Sequence, residues 1–372
     1  MNNKITCIEG LRTIGWIGVF LCHFKGAMLP NVCWWTDLTP IKFIYSGNAY
    51  VRLLFVISGF VISYKYFTKE KYDNALSDII KRYFRLMPPV LVSELVVCLL
   101  MSVGSLRNAE AAVLTGSYDF LAGFNQFQPN IFMCMIEALF ATYFTGASGY
   151  IGPLWTMVYE YLGAALIIVA VSLLRKSPWR WGFYIIFMAV FSSYYNYFVL
   201  GMLICDLFVN SEIVSVLKAH KGIHFAITGG GYILLSMVNI NDFDKYSRII
   251  FGLGIVFFML GILSSSFMQK VLGNNILVKG GEIAYCAYIV HWPIIETFSC
   301  GLLILLYGRV NSSYNFLVGV IFVLTFFLVT ITALLLRKFV EPIGGFFANG
   351  IVHTVKCATD ISNQYLRTSS DE

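Results

Sequence analysis

The sequence predicts an all-α protein, a polytopic bundle of about ten transmembrane helices with both termini cytoplasmic. Three observations predict it. Of 372 residues, 58% are hydrophobic and only 12% are charged, where a soluble domain carries about a quarter charged residues. Apolar runs long enough to span a bilayer recur along the chain. The clusters of Lys and Arg fall where alternating spans would return the chain to the cytoplasm. The net charge of +6 then belongs to cytoplasmic loops, and no basic run interleaved with exposed aromatics suggests a nucleic-acid surface.

The first span is expected over about 11–28 and ends at Pro30, Asn31 and the interfacial pair Trp34 and Trp35. Arg12 interrupts its start and no small-residue cleavage site follows it, so it is expected to be a span and not a cleaved signal peptide. The second span, about 47–64, carries Ser58 and Gly59, small residues that let helices approach closely. A basic stretch over 65–85 follows, with Lys65, Lys69, Lys71, Lys81, Arg82 and Arg85. It is the strongest cytoplasmic signal in the chain and puts the N-terminus inside as well. Pro88 and Pro89 suit the first turn of a third span running to about 103.

Residues 104–130 are polar and irregular. The apolar run 131–144 is short for a crossing and suits a re-entrant or partly buried helix. Treating it so keeps Arg175, Lys176 and Arg180 inside. Further spans are expected at about 153–173, 182–194, 197–209, 222–240, 248–267, 282–306 and 314–336. Lys218, Lys221, Lys270, Lys279, Arg337 and Lys338 then face the cytoplasm. Residues 1–342 form one membrane domain, and 343–372, Gly-rich and then polar, form a tail outside it.

Ionisable groups inside apolar runs are expensive and mark candidate functional sites. Arg12 and His23 are eleven residues apart, close to three helical turns, so they share a face about 16 Å apart along the axis. With Arg12 at the cytoplasmic end, His23 is expected near mid-membrane, and the two form one edge of a donor channel. Arg82 and Arg85 share a face at i and i+3. They can clamp phosphates or act as ordinary positive-inside anchors. Glu160 can orient or activate a histidine, pair with an arginine, or be a protonated structural group. His291 is expected at the depth of His23, as a partner in chemistry or a packing group bonded across helices. Glu296 lies about one turn further on. Arg337 to Pro342 is expected to be an interfacial charge cluster and a helix stop. The nine cysteines include six inside apolar runs that read as small hydrophobes, and no Cys/His zinc spacing, phosphate loop, dinucleotide fingerprint or nucleophile elbow occurs.

Such residues suit group transfer. A membrane histidine acts as general base toward an acceptor hydroxyl, and arginines hold a polyanionic cytoplasmic donor such as acyl-CoA. The alternative is a transporter or flippase using the buried His, Arg and Glu as a substrate or proton path.

The residues Glu9-Gly-Leu-Arg12 with His23, Leu54 to Ile62 around Ser58-Gly59-Phe60, Lys81-Arg82-Tyr-Phe-Arg85-Leu-Met-Pro88, Gly152-Pro-Leu-Trp155-Thr-Met-Val-Tyr-Glu160, Ala284 to Pro293 around Tyr288 and His291, and Glu341-Pro342 occur in one order over residues 5–342. Together they resemble the integral-membrane acyltransferase 3 family. That resemblance implies about ten spans and transfer of an acyl group, often acetyl, from cytoplasmic acyl-CoA to a hydroxyl of a carbohydrate or glycolipid acceptor. It implies His23 as the catalytic histidine with Arg12 beside it, Arg82 and Arg85 on the donor, and Glu160 and His291 at family motif positions. It implies no metal. Some members carry a further extracytoplasmic hydrolase-like domain; this chain resembles the stand-alone type, with a bacterial inner membrane as the expected home.

Overall fold

A computed structural model describes residues 5–30, 40–69, 75–191, 193–220, 222–237, 245–309 and 313–368. Trp34, Trp35, Asn31, Lys71 and Lys221 lie outside the described residues. The described residues are helical, with no strand among them. The elements are α1 (Thr6–Met28), α2 (Gly47–Phe67), α3 (Ala75–Ser102), α4 (Asn108–Thr115), α5 (Ile131–Phe144), α6 (Met157–Leu174), α7 (Arg180–Val190), α8 (Tyr195–Asn210), α9 (Ile213–Ala219), α10 (Ile223–Met237), α11 (Lys245–Ser264), α12 (Ser266–Leu272), α13 (Asn275–Glu282), α14 (Ala284–Leu306), α15 (Tyr314–Phe339) and α16 (Glu341–Thr368).

Each of the ten stretches expected to span carries a helix. Among the described residues seven are long and apolar enough to cross a membrane, or eight if α8 and α9, bent by 68°, make one span. Helices α7 and α10 are shorter, as is α5. The broken α8–α9 pair and the short helices explain why counting apolar runs gives a higher number than helix length does.

The bundle closes through glycines. A Cβ on Gly59 would lie 2.1 Å from the Phe198 carbonyl oxygen, and one on Gly201 would lie 2.1 Å from that of Val56. Helices α2 and α8 therefore meet backbone to backbone, as the Ser58-Gly59 pair predicts. In the same way Gly10 abuts the Leu272 carbonyl and Gly281 abuts that of Glu9. These contacts, with bonds from Thr13 Oγ1 to the Leu277 carbonyl and from Trp16 Nε1 to that of Gly280 at 3.2 Å, lash α12 and α13 across the first half of α1. Side-chain caps start the short helices: Asn130 bonds Phe132 N and Met133 N, and Asn274 bonds Ile276 N and Leu277 N.

One expectation is corrected here. Helix α3 begins at Ala75, so Pro88 and Pro89 stand in its interior and not in its first turn. A proline there leaves the carbonyl four residues back without its helical donor; for Pro88 that is Phe84. Gly344 of α16 sits against this freed oxygen, where a Cβ would come within 1.9 Å. The chain after α15 is helical from Glu341 to Thr368. The helix stop expected at Arg337 to Pro342 is where α15 ends, at Phe339, and Pro342 stands in the first turn of the next helix, where its missing N–H costs nothing.

Candidate active site

The site is built where α1, α2, α3, α6 and α14 converge. A cavity of about 690 Å³ opens among them. Its lining holds six basic side chains, Arg12, Lys65, Lys69, Arg82, Arg85 and Arg337, against four carboxylates, Glu9, Glu160, Glu282 and Glu341. The arginines are individually paired. Arg12 meets Glu9 at 3.2 Å, Arg85 meets Glu341 at 3.0 Å, Arg337 meets Glu282 at 2.8 Å, and Arg82 forms a close ion pair with Glu160. Ser58 Oγ donates to Glu160 at 2.8 Å.

Glu160 therefore takes the second of the three roles open to it in the sequence: it pairs with an arginine. Ser58 lies near the centre of α2, so Arg82 is drawn into the bundle and does not stand at a free helix start. The Arg82–Glu160 pair leaves both side chains under a fifth exposed, whereas Arg85 is 56% exposed. Arg85 is thus the arginine of the two that solvent reaches.

The deep end of the cavity is lined by Thr156 and Tyr288. The Tyr288 hydroxyl donates to the Pro153 carbonyl at 2.8 Å and lies 2.9 Å from Thr156 Oγ1. One turn beyond Tyr288 on α14 stands His291, and here the structure joins what the sequence only put at matched depth. His23 Nδ1 and His291 Nε2 are 2.7 Å apart, with the rings nearly parallel. His291 is buried and His23 is half-buried. His23 lies little more than a turn from the end of α1 at Met28, so it is nearer that end than the middle of the helix. Arg12 lines the cavity; neither histidine is among its lining residues.

The hydrogen bonds fix the proton positions of a neutral pair. His291 Nδ1 lies 2.6 Å from the Tyr288 carbonyl. A carbonyl only accepts, so Nδ1 carries the proton and Nε2 is the acceptor. His23 Nδ1 must then donate to His291 Nε2. The remaining ring nitrogen, His23 Nε2, is left with a free lone pair. Phe120 and Trp292 flank the His23 ring at centroid distances of 5.9 and 5.4 Å.

Sequence reasoning missed three contributors. Tyr288 and Thr156 close the cavity, yet a tyrosine and a threonine in apolar runs look like ordinary packing. Ser58 bonds Glu160 as well as serving close packing. Among the described residues no group of three or more His, Cys, Asp and Glu side chains is arranged to hold a metal ion.

Fold and site define a polytopic membrane protein with a charged cavity on one side of a hydrogen-bonded histidine pair. The acyltransferase domain of the acyltransferase 3 family matches residues 5–337, and the chain belongs to that family. It is an acyltransferase, of the class transferring groups other than aminoacyl groups. A curated relative, O-acetyltransferase PaAT-1 of Phomopsis amygdali, is 24% identical over 80% of this chain and 73% of its own length. No solved structure matches the chain.

Proposed function

We propose that this chain is a membrane-embedded O-acyltransferase that moves an acyl group, most simply acetyl, from cytoplasmic acyl-CoA to a hydroxyl of a carbohydrate or glycolipid acceptor. Residues 1–342 act as the single catalytic domain. The observation that carries the reading is the histidine pair. Its chain of hydrogen bonds from the Tyr288 carbonyl leaves His23 Nε2 unprotonated, which is the state a general base needs. The O-acetyltransferase name of the relative from Phomopsis amygdali supports oxygen as the acceptor atom.

In the proposed reaction the acceptor hydroxyl gives its proton to His23 Nε2. Its oxygen forms a bond to the thioester carbonyl carbon, the carbon–sulfur bond breaks, and the departing sulfur takes the proton back from His23. His23 is the catalytic residue; His291 is a positioning residue that holds its tautomer. The charged cavity takes the donor. Arg85, exposed and held by one carboxylate, exchanges Glu341 for a donor phosphate. Arg12 adds positive charge beside it. Arg82 contributes to the donor site while keeping Glu160 in place.

His23→Ala, purified and assayed with acetyl-CoA, is expected to lose about 10²–10⁴-fold in acyl transfer, the size of a general-base contribution, while still binding donor. Undiminished transfer would sink the assignment. His291→Ala is expected to lose less and to change the pH profile of transfer, because it frees the His23 tautomer; an unchanged profile would remove its positioning role.

A further inference from the structure

We propose that Asn125, Trp292 and Glu296 bind the hydroxyls of a neutral, polyhydroxylated acceptor ring on the side of the histidine pair opposite the charged cavity. The proposal rests on the acyl-transfer reading above and supplies its second substrate with a site. Order along two helices sets the geometry. On α1 the cavity residue Arg12 precedes His23; on α14 the cavity residues Ala284, Tyr285 and Tyr288 precede His291, and Trp292 and Glu296 follow it.

This cluster is polar where the fold has no need of polarity. Glu296 is fully buried in a π-helical segment of α14, Ile295–Ser299, and such interruptions of an α-helix concentrate at functional sites. Asn125 Nδ2 donates to its two carboxylate oxygens at 3.3 and 3.2 Å. Asn125 itself has φ of 58° and is the non-glycine residue with positive φ among the described residues; left-handed backbone of this kind persists where surroundings impose it. One buried polar atom here, Asn125 Oδ1, has no hydrogen-bond partner among the described residues, while Trp292, only 1% exposed, directs its N–H to the Glu296 carboxyl. Buried donors and acceptors are almost always satisfied in native proteins, so such an atom points to a bound group.

The chemistry selects the ligand. Trp292 Nε1 can only donate, Asn125 Oδ1 and Glu296 can accept, and an alcohol does both. Phe120 and Phe124 pack on the Trp292 ring at centroid distances of 5.3 and 4.9 Å, giving apolar walls for the carbon face of a ring, as in small-molecule sites generally. None of the three side chains is cationic, so nothing here balances the charge of an anionic ligand, which leaves a neutral polyol. Phe120 and Trp292 both border His23, so a ring held here presents a hydroxyl toward His23 Nε2.

Trp292→Phe is the discriminating variant. It keeps an aromatic ring and deletes one N–H; a purely structural role predicts equal losses at limiting and at saturating acceptor, whereas a lost acceptor contact shows at limiting acceptor and disappears at saturation. Membranes of the producing organism, which carry the acceptor, are supplied with radiolabelled acetyl-CoA. Transfer of label to membrane glycan at limiting acceptor is expected to fall about tenfold in Trp292→Phe, the worth of one hydrogen bond. It is expected to fall at least as far in Glu296→Gln, with the Kd for acetyl-CoA within about twofold of the unaltered protein in both. Wild-type transfer in Trp292→Phe overturns the proposal, and so does a loss of acetyl-CoA binding in parallel with transfer. Wild-type transfer in His23→Ala overturns the acyl-transfer reading instead. Absence of labelled glycan with the unaltered protein overturns that reading and the acceptor site with it.

Discussion

Arg82 is the residue whose setting differs most from an exposed basic anchor. It is drawn against Glu160 and Ser58, with little solvent on either partner. Removing one member of such a pair strands the other charge, at about 3–5 kcal/mol for a well-buried pair. Arg82→Ala and Glu160→Ala are each expected to lower the thermal midpoint markedly, and the double variant to lose less than the two combined. A double-mutant cycle on purified protein checks this; additive losses would mean that the pair is not coupled. Arg85 differs in kind. At 56% exposure its pair with Glu341 contributes only about 0–1 kcal/mol, so Arg85→Ala should leave the thermal midpoint nearly unchanged. Two arginines three residues apart thus separate into one that holds the fold and one that is available to a ligand.

At the scale of elements, glycine contacts decide the packing. Gly59 and Gly201 let α2 and α8 touch along their backbones, and Gly344 lets α16 cross α3 over the proline-freed carbonyl of Phe84. Gly344→Ala is expected to lift α16 off α3 at a cost of about 1–3 kcal/mol, as overpacking does. Faster proteolytic release of the C-terminal helix is the measurement, and an unchanged rate would show that α16 is held elsewhere. The apolar runs made most helices legible in the sequence, because a membrane-crossing helix needs little beyond length and apolarity. The start of α3 was not legible. Adjacent prolines ordinarily open a helix, and a single sequence does not show that the chain before them is already helical. The helical fate of 343–368 was equally hidden, since three glycines between 344 and 350 resemble a loop until one of them is seen against α3.

At the scale of the whole molecule, the charged cavity and the histidine pair are neighbours divided by Tyr288 and Thr156. The candidate residues were legible singly, since each is an ionisable group that hydrocarbon penalises. Their pairings were not, because a single sequence says nothing about which helices cross. Arg12 with Glu9 is local, at i and i+3, whereas His23 and His291 are 268 residues apart. The cavity carries more positive than negative side chains, so the proposed polyanionic donor would be drawn to it by long-range attraction. Affinity for acetyl-CoA is expected to weaken steadily as salt rises from about 0.01 to 1 M, over which the screening length contracts from about 30 to 3 Å. Titration calorimetry reads this directly, and a salt-independent Kd would argue against arginine contacts to the donor.

The bond from His291 to the Tyr288 main chain has a consequence for how this gene can vary. A backbone oxygen is present whatever amino acid occupies position 288, so point substitution there does not remove the group that orients the histidine. Insertion or deletion acts on its partner instead. One residue added between 288 and 291 turns the imidazole by about 100° around the helix axis and carries it away from His23, although a carbonyl three residues before it is still present. The stretch is therefore tolerant in spelling and strict in length, and the π-helical segment that begins at Ile295 is the nearest place downstream where a change of length can be absorbed.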